Sequence, residues 1–524
     1  MAGAHKIVPT NPRLASLLTE IDRGNIKIPV FQREYVWNDE QIMSLLDSIY
    51  RGYPVGSVLL WSTKEALNHE RNVGGFSLPT TPEDYPVNYV LDGQQRLTTL
   101  YGVFNSDAPT ADPGLAYRFD VSFVPRNETF VHSSTVEPSD AINLRVILDT
   151  TRLLPALTRF DEADRTTIAT LTERFKDYEF PVVTIKDRTN QEVCRVFQRI
   201  NSSGTSLSTL ELLAAWTWSE QFDLRNEIET LLDRLADKGF ADLDETLLMR
   251  CLASIVLKSI DPDALVDAAP QDLIDGMATL KQAVYASIDF LEKDLGIKNI
   301  VFLPFPIMLV PLVSFYSKTL KPTAIQLGTL RRWFWHCAFT QRYKAGTNKY
   351  VMDDIWGMWL LAHGKPSFGT LHADVDPSLF KKTWRINSTA AKAAICLFAQ
   401  YSPRSFLSGH AVDLSTTMAA YNAREFHHIY PKAYLAGQGI TFHEANIIAN
   451  VCMLTSSDNR LISDRNPAQY FEDIALDQVE SIFTSALIPI EVSDGSKPYA
   501  EFVNRRASFL AAAANRLIQN GIVS

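Results

Sequence analysis

Apolar and polar positions alternate along this chain with two periods, and the change between them organises the whole reading. Leu14 to Ile21 has the spacing of a short amphipathic helix. Asp39 to Tyr50 places Ile42, Leu45, Leu46 and Ile49 three and four residues apart, which predicts a helix with one buried face. Gly56 to Trp61, Tyr89-Val90-Leu91 and Pro181 to Ile185 are short β-like runs, and Ile26 to Phe31 is an apolar stretch broken by Pro29. Helical spacing resumes at Gln94 to Phe104. It returns at Val193 to Ile200 and Leu207 to Trp218, around the turn Asn201-Ser202-Ser203-Gly204. Residues 1–220 therefore read as mixed α/β.

Beyond that point the three-and-four spacing dominates, through Ile228–Leu235, Leu247–Ile260, Met277–Leu291, Leu327–Phe339 and Val351–Ala362. Residues 221–400 read as a helical region without a fixed repeat. From 401 to 524 the pattern is mixed again and ends in a helix from Pro498 to Ile518, with Phe502, Leu510, Ala513 and Leu517 on one side. The expected architecture is an α+β multidomain chain divided at 1–220, 221–400 and 401–524. The most apolar run, Val301 to Val313, is shorter than a membrane span and holds three prolines, so it reads as a buried core segment and no membrane partner is expected.

Composition changes this picture little. At 524 residues the chain exceeds one core, and 46% hydrophobic with 21% charged residues is ordinary for a globular protein. A net charge of −10 argues against a broad nucleic-acid-coating surface but not against a local cleft. Five scattered cysteines without a Cys-x-x-Cys argue against a zinc ribbon and fit reduced thiols, and a cytoplasmic location is expected. There is no Gly-x-x-x-x-Gly-Lys-Ser/Thr, so any nucleotide chemistry is not of the P-loop kind.

Two short segments carry candidate chemistry. In Asp92-Gly93-Gln94-Gln95-Arg96 a strand turns into a helix. Gly93 permits close approach of backbone, the new helix offers N–H groups to an anion, and Arg96 lies one turn in with a fork suited to phosphate oxygens. Capping of the helix by Asp92 accounts for Asp-Gly equally well. Tyr35 and Trp37 are candidates for stacking on a base, with core packing the stronger reading. In Glu425-Phe426-His427-His428-Ile429-Tyr430-Pro431, followed by Asn450 and Asn459, adjacent histidines on a strand point to opposite sides and so serve different purposes. Hydrolysis of a phosphodiester needs a base, a divalent cation, groups to hold that cation and a brace for the loop bearing the base. Arg460 and Lys432 are candidate phosphate clamps, with ordinary surface charge the alternative.

The second segment, with Asn446-Ile447-Ile448-Ala449-Asn450 and Asn459-Arg460-x-Ile462-x-Asp464-x-x-Pro467-x-x-Tyr470, resembles the HNH nuclease domain of GmrSD-type, modification-dependent restriction enzymes. The first segment does so with two companions, Ile28-Pro29-Val30-Phe31-Gln32-Arg33-Glu34-Tyr35-Val36-Trp37 and Phe197-Gln198-Arg199-Ile200-Asn201-Ser202-Ser203-Gly204-Thr205-x-Leu207. Together these resemble the ParB-like, sulfiredoxin-fold domain of the same proteins.

The resemblance implies a ββα-metal fold at the carboxyl end. There His428 is the general base, His427 and Asn459 hold the metal, Asn450 braces the loop and Arg460 contacts phosphate. Asn at 459, where many such enzymes have His, favours loosely held Mg²⁺ or Mn²⁺. At the amino end it implies binding and hydrolysis, with Mg²⁺, of a nucleoside triphosphate (GTP, CTP or another), an NTPase activity carried by Gln32, Arg33, Asp92, Gly93, Gln95, Arg96 and Asn201.

The implied whole is a nucleotide-regulated nuclease acting on modified foreign double-stranded DNA, with a homo-oligomer left open. The alternatives are a nucleotide-gated DNA switch that does not cut, and a nuclease toxin. Gln341-Arg342-Tyr343-Lys344 and Asp353-Asp354 resemble the linker region of these proteins. Arg331, Arg332, Arg342, Lys344 and Lys349 read as a solvated helix face or a DNA path.

Overall fold

The computed structural model describes residues 6–29, 35–64, 69–70, 72–73, 76–77, 86–105, 113–188, 192–193, 195–196, 209–217, 222–369, 371–414, 426–492, 495 and 497–523. The protein is α+β with a helical majority, and the chain divides into two compact units, residues 1–224 and 225–524.

The first unit is built on a mixed sheet in the order β1-β11-β3-β7-β2-β4, where β1 is Lys6–Thr10, β2 Ile26–Pro29, β3 Val58–Thr63, β4 His69–Glu70, β7 Val87–Asp92 and β11 Val182–Lys186. A two-strand ribbon, β5 (Asn72–Val73) and β6 (Phe76–Ser77), stands apart. So does a three-strand sheet of β8 (Val121–Val124), β9 (Thr129–His132) and β10 (Ile142–Asn143). The helices are α1 Leu14–Asp22, α2 Asp39–Tyr50, α3 Gln94–Phe104, α4 Pro113–Arg118, α5 Thr150–Leu157, α6 Glu162–Asp177 and α7 Thr209–Thr217.

The central strands read as unbroken apolar runs because both sheet faces are covered. On one side Val58, Leu60 and Val90 join the main core with α1, α2, α3 and α6. On the other, Leu59, Trp61, Tyr89 and Leu91 pack with Ile185 and Val193. A bulge between Leu59 and Leu60 interrupts the β3–β7 register just where β7 reaches Asp92. α2 begins with a capping box in which Asn38 accepts from the Gln41 N–H and the Gln41 side chain accepts from the Asn38 N–H.

The second unit starts with helices α8 Leu224–Ala236, α9 Glu245–Val256, α10 Pro270–Lys293, α11 Leu309–Tyr316, α12 Ala324–Phe339, α13 Thr347–Ala362 and α14 Thr389–Gln400. Every residue of α11 is buried, and it packs on α9, α10 and α13. That explains the apolar run: a helix hydrophobic on all sides belongs at the centre of a bundle. The remainder is β12 (Phe426–His428), α15 (Lys432–Gly437), α16 (Phe442–Ala445), β13 (Val451–Met453), α17 (Ser456–Ile462), α18 (Pro467–Phe471), α19 (Val479–Ser485) and α20 (Tyr499–Asn520). α20 packs against α12 and against the turn at Ile448–Asn450. Pro498 is its N-cap, one residue before the first turn. Among the described residues no helix is long and apolar enough to cross a membrane.

Two of the basic residues on the expected helix face are committed internally. Arg342 donates from Nε (3.0 Å) and Nη2 (2.8 Å) to the buried Asp354, which also accepts from Trp333 Nε1 and the Tyr343 hydroxyl. Arg331 pairs with Asp294. Guanidiniums bound so closely to part-buried or buried carboxylates serve the fold rather than a DNA path.

Candidate active site

β12 and β13 form a short antiparallel hairpin pair in which His427 lies opposite Cys452 and His428 opposite Val451, and α17 follows directly after β13. His427 and His428 thus lie on the strand pair, and Asn459 and Arg460 on the helix that follows it in sequence. Asn459 and Arg460 are exposed on that helix.

The loop between the histidines and α15 is held by Asn450, which is fully buried. Its Oδ1 accepts from the Tyr430 N–H (2.8 Å), and its Nδ2 donates to Tyr430 O (3.0 Å) and Ala445 O (2.9 Å). The Asn450 backbone carbonyl accepts from the Ile429 N–H (2.7 Å), and the Tyr470 hydroxyl donates to Ile429 O (2.5 Å). One carboxamide therefore makes three bonds to backbone that would otherwise be buried unpaired. Beneath it lies Arg506 of α20, also fully buried. It donates to Ala449 O, Val451 O, Ala486 O and Leu487 O, with no carboxylate among these partners. Burial lowers its pKa to about 10.

The histidines differ as the strand alternation requires. His428 Nε2 lies 2.9 Å from Asn446 Oδ1. The Asn446 amide is oriented by its Nδ2, which donates to Trp384 O (3.2 Å). Its oxygen must then be the acceptor, so His428 Nε2 carries the proton and Nδ1 carries the lone pair. Burial first, then the Lys432 cation, lowers the His428 pKa to about 4, against the opposing bond to Asn446. The ring is neutral near pH 7 and can accept a proton. His427 is lowered to about 4 by burial and then by His428. Its Nε2 is buried and has no hydrogen-bond partner among the described residues.

That orphaned imidazole nitrogen is the observation that fits a cation. Cys452 opposite it is not a donor, because burial pushes its thiol up to about 12 and keeps it protonated. Among the described residues no group of three or more His, Cys, Asp or Glu side chains gathers. Asn446 was visible in the motif, but its purpose was not: its orienting partner is a backbone carbonyl 62 residues away. Lys432 lies 5.0 Å from the Phe442 ring centre.

In the first unit, Gly93 is the N-cap of α3 at φ +95°, and the Asp92 carboxylate stands one residue before it. It faces Arg96 at 3.4 Å. Arg96 also donates to Ser57 O (2.8 Å) and Val55 O (3.2 Å). A Cβ on Gly56 would stand 2.6 Å from its Nη1. Gln95 is buried and accepts from the Val36 N–H (3.0 Å). Beside Arg96 opens a cavity of about 460 Å³ bordered by Trp37, Glu40, Gln41, Ser44 and Ser48. Tyr35 is a core residue: its hydroxyl bonds Thr99 at 2.8 Å, its ring meets Phe119 edge-on, and burial raises its pKa to about 12. Gln32, Arg33 and Asn201 lie outside the described residues.

With this geometry in place, the comparisons with known proteins bear directly on the first unit. Residues 14–218 match the family model described as the GmrSD restriction endonuclease, N-terminal domain. The amino-terminal part of the chain is thus similar to the N-terminal domain of GmrSD restriction endonucleases. The GmrSD-type region spans α1 to α7 and includes the Asp92–Arg96 corner. Similarity also runs beyond it. An uncharacterized protein, MJ0686, of Methanocaldococcus jannaschii is 23% identical over 519 residues, covering 88% of this chain and 86% of that protein.

Proposed function

We propose that this protein is a metal-dependent DNA endonuclease of the restriction type, in which a nucleotide bound by the GmrSD-type region controls phosphodiester hydrolysis at the β12–β13–α17 element. The single observation that carries the reading is the pair of inequivalent histidines on one braced hairpin: one ring with an oriented, unprotonated Nδ1, the other with an unpartnered Nε2. In this reading His428 Nδ1 takes a proton from water, and the water oxygen attacks phosphorus as one P–O ester bond breaks. Asn446 holds the His428 tautomer, Asn450 fixes the loop, and Arg460 meets the phosphate. His427 and Asn459 would hold Mg²⁺ or Mn²⁺, which supplies charge neutralisation at the phosphate and leaving oxygen.

At the amino end a nucleoside triphosphate is taken by Asp92, Gly93, Gln95 and Arg96 with Gln32, Arg33 and Asn201. The cavity beside Arg96 supports that reading. Modified foreign DNA is the proposed target, in defence against phage.

The test is incubation of the purified full chain with supercoiled plasmid, modified or unmodified phage DNA, Mg²⁺ or Mn²⁺, and each NTP in turn. Metal-dependent cutting that His428→Ala abolishes supports the proposal. A second reading, a DNA-binding switch without cleavage, draws on the sparse donor set around His427. It is favoured if wild type and His428→Ala bind DNA alike and neither cuts.

A further inference from the structure

The second unit carries an exposed aromatic stack that neither the nuclease element nor the GmrSD-type region uses. On α13, Trp356 and Trp359 lie parallel, with ring centres 5.0 Å apart and planes 8° apart. The His363 ring lies 4.2 Å from the Trp359 ring, tilted by 34°. Trp356 is 55% exposed and Met352, one turn earlier, is 36% exposed. Two ammonium groups, Lys258 and Lys365, each stand 5.5 Å from the Trp359 ring centre.

The fold places both lysines deliberately. Lys365 follows Gly364 (φ +66°) in a helix-ending turn in which the Gly364 N–H donates to Leu361 O and the Lys365 N–H to Leu360 O. Lys258 ends α9 in the left-handed region at φ +52°, where glycine is the ordinary choice. A side chain that this backbone conformation disfavours thus stands over the Trp359 ring.

We propose that this surface is a stacking platform for unpaired bases of single-stranded DNA, with the open face of Trp356 taking a base and Lys258 and Lys365 taking the adjoining phosphates. Base–aromatic stacking beside a line of cations is how proteins hold single strands without reading their sequence. The charge pattern favours this occupant over a protein partner, since lysine is depleted in the cores of protein interfaces. It also resolves the tension between an acidic chain and a nucleic-acid substrate, because a local platform needs no basic field. The choice of DNA as the polymer rests on the nuclease reading; the platform itself does not.

The experiment uses the full chain carrying His428→Ala, in EDTA, so that binding is read without cleavage. The probe is a fluorescein-labelled oligo-thymidine strand, followed by anisotropy against a duplex of equal length. The strand should bind better than the duplex, and Trp356→Ala should weaken strand binding by at least about tenfold. The Lys258→Gln/Lys365→Gln double variant should reduce the slope of log K against log salt by about 1.4, two phosphate contacts' worth. Unchanged strand affinity in Trp356→Ala overturns the proposal. So does sedimentation showing that Trp356→Ala breaks an oligomer, which would mean that a second copy covers the platform. Plasmid cutting by Trp356→Ala in a chain that keeps His428, with Mg²⁺ or Mn²⁺, reports separately on the nuclease reading.

Discussion

The Asp92–Arg96 corner and the His427–His428 hairpin look alike as motifs, yet their side chains are spent differently. At the corner the protein takes up most of its own polar groups: Arg96 reaches two backbone carbonyls and Asp92 through its terminal nitrogens, leaving only its Nε unpartnered among the described residues, and Gln95 receives a backbone N–H. At the hairpin the supporting residues are saturated, whereas the histidines each keep a ring nitrogen for something else. Asn450 makes three bonds and Arg506 four, while His427 Nε2 has no partner and His428 Nδ1 keeps its lone pair. The hairpin is a site with a rigid support and open valence. The corner, in this state, is a clasp between α3 and the segment entering β3.

The sharpest way to break that contrast is to exchange function and stability. His428→Ala should reduce DNA cutting by about 10²–10⁴-fold, the usual contribution of a positioned base, with only a modest loss of stability, about 1–2 kcal/mol, from the lost bond to Asn446. Arg96→Ala, in the absence of nucleotide, should lose stability without that loss of cutting. Plasmid-nicking rates and thermal melts on both variants decide it; a stable Arg96→Ala protein would show that the corner is not a clasp.

Next in size is the support. Asn450→Ala removes three hydrogen bonds from fully buried backbone and should cost about 3 kcal/mol or more in urea unfolding. A loss under about 1 kcal/mol would mean that the loop after His428 does not depend on this brace. Arg96→Ala should cost less, about 1–2 kcal/mol, because its guanidinium is partly exposed and its pairing with Asp92 is screened.

Much of this was legible in the chain, for reasons that differ by element. α2 announces itself because it buries one face of a regular three-and-four pattern and carries its own capping box, whereas α3 keeps the apolar spacing although it is buried on nearly every side. β1 escapes notice because Lys6 and Pro9 interrupt it, and it is a strand only through its pairing with β11. α6 is also muted: its buried positions Ile168, Leu171 and Phe175 are separated by threonines and charges. The same division runs through the candidate site. His427, His428, Asn450 and Asn459 stand in a recognisable spacing, so the sequence nominates them. Asn446 as the group that fixes the His428 tautomer depends on Trp384 O, and Arg506 depends on carbonyls from two separate turns. Neither partner is a side chain, so no residue-type pattern encodes them.

The smallest effect concerns protons. Both imidazoles are lowered to about 4 from an ordinary value of 6.5, mainly by burial. The unfolded chain therefore binds protons between those limits while the folded chain does not. Stability from this pair is fully present above pH 6.5 and is lost as the pH falls toward 4, by roughly 3 kcal/mol per imidazole as an upper bound. Urea titrations of the EDTA-treated protein at pH 7 and pH 4.5 read this directly, with a His427→Asn/His428→Asn variant as the control for every other titrating group. The midpoint should fall further in wild type than in the control, and equal falls would show that the rings are hydrated and titrate freely. Asn446→Asp refines the result. A carboxylate accepting from His428 Nε2 favours the imidazolium, raises the His428 pKa and narrows its share of the pH window. If the same variant also moves the acid limb of the cutting rate upward, the ring that titrates in the fold is the ring that takes the proton from water.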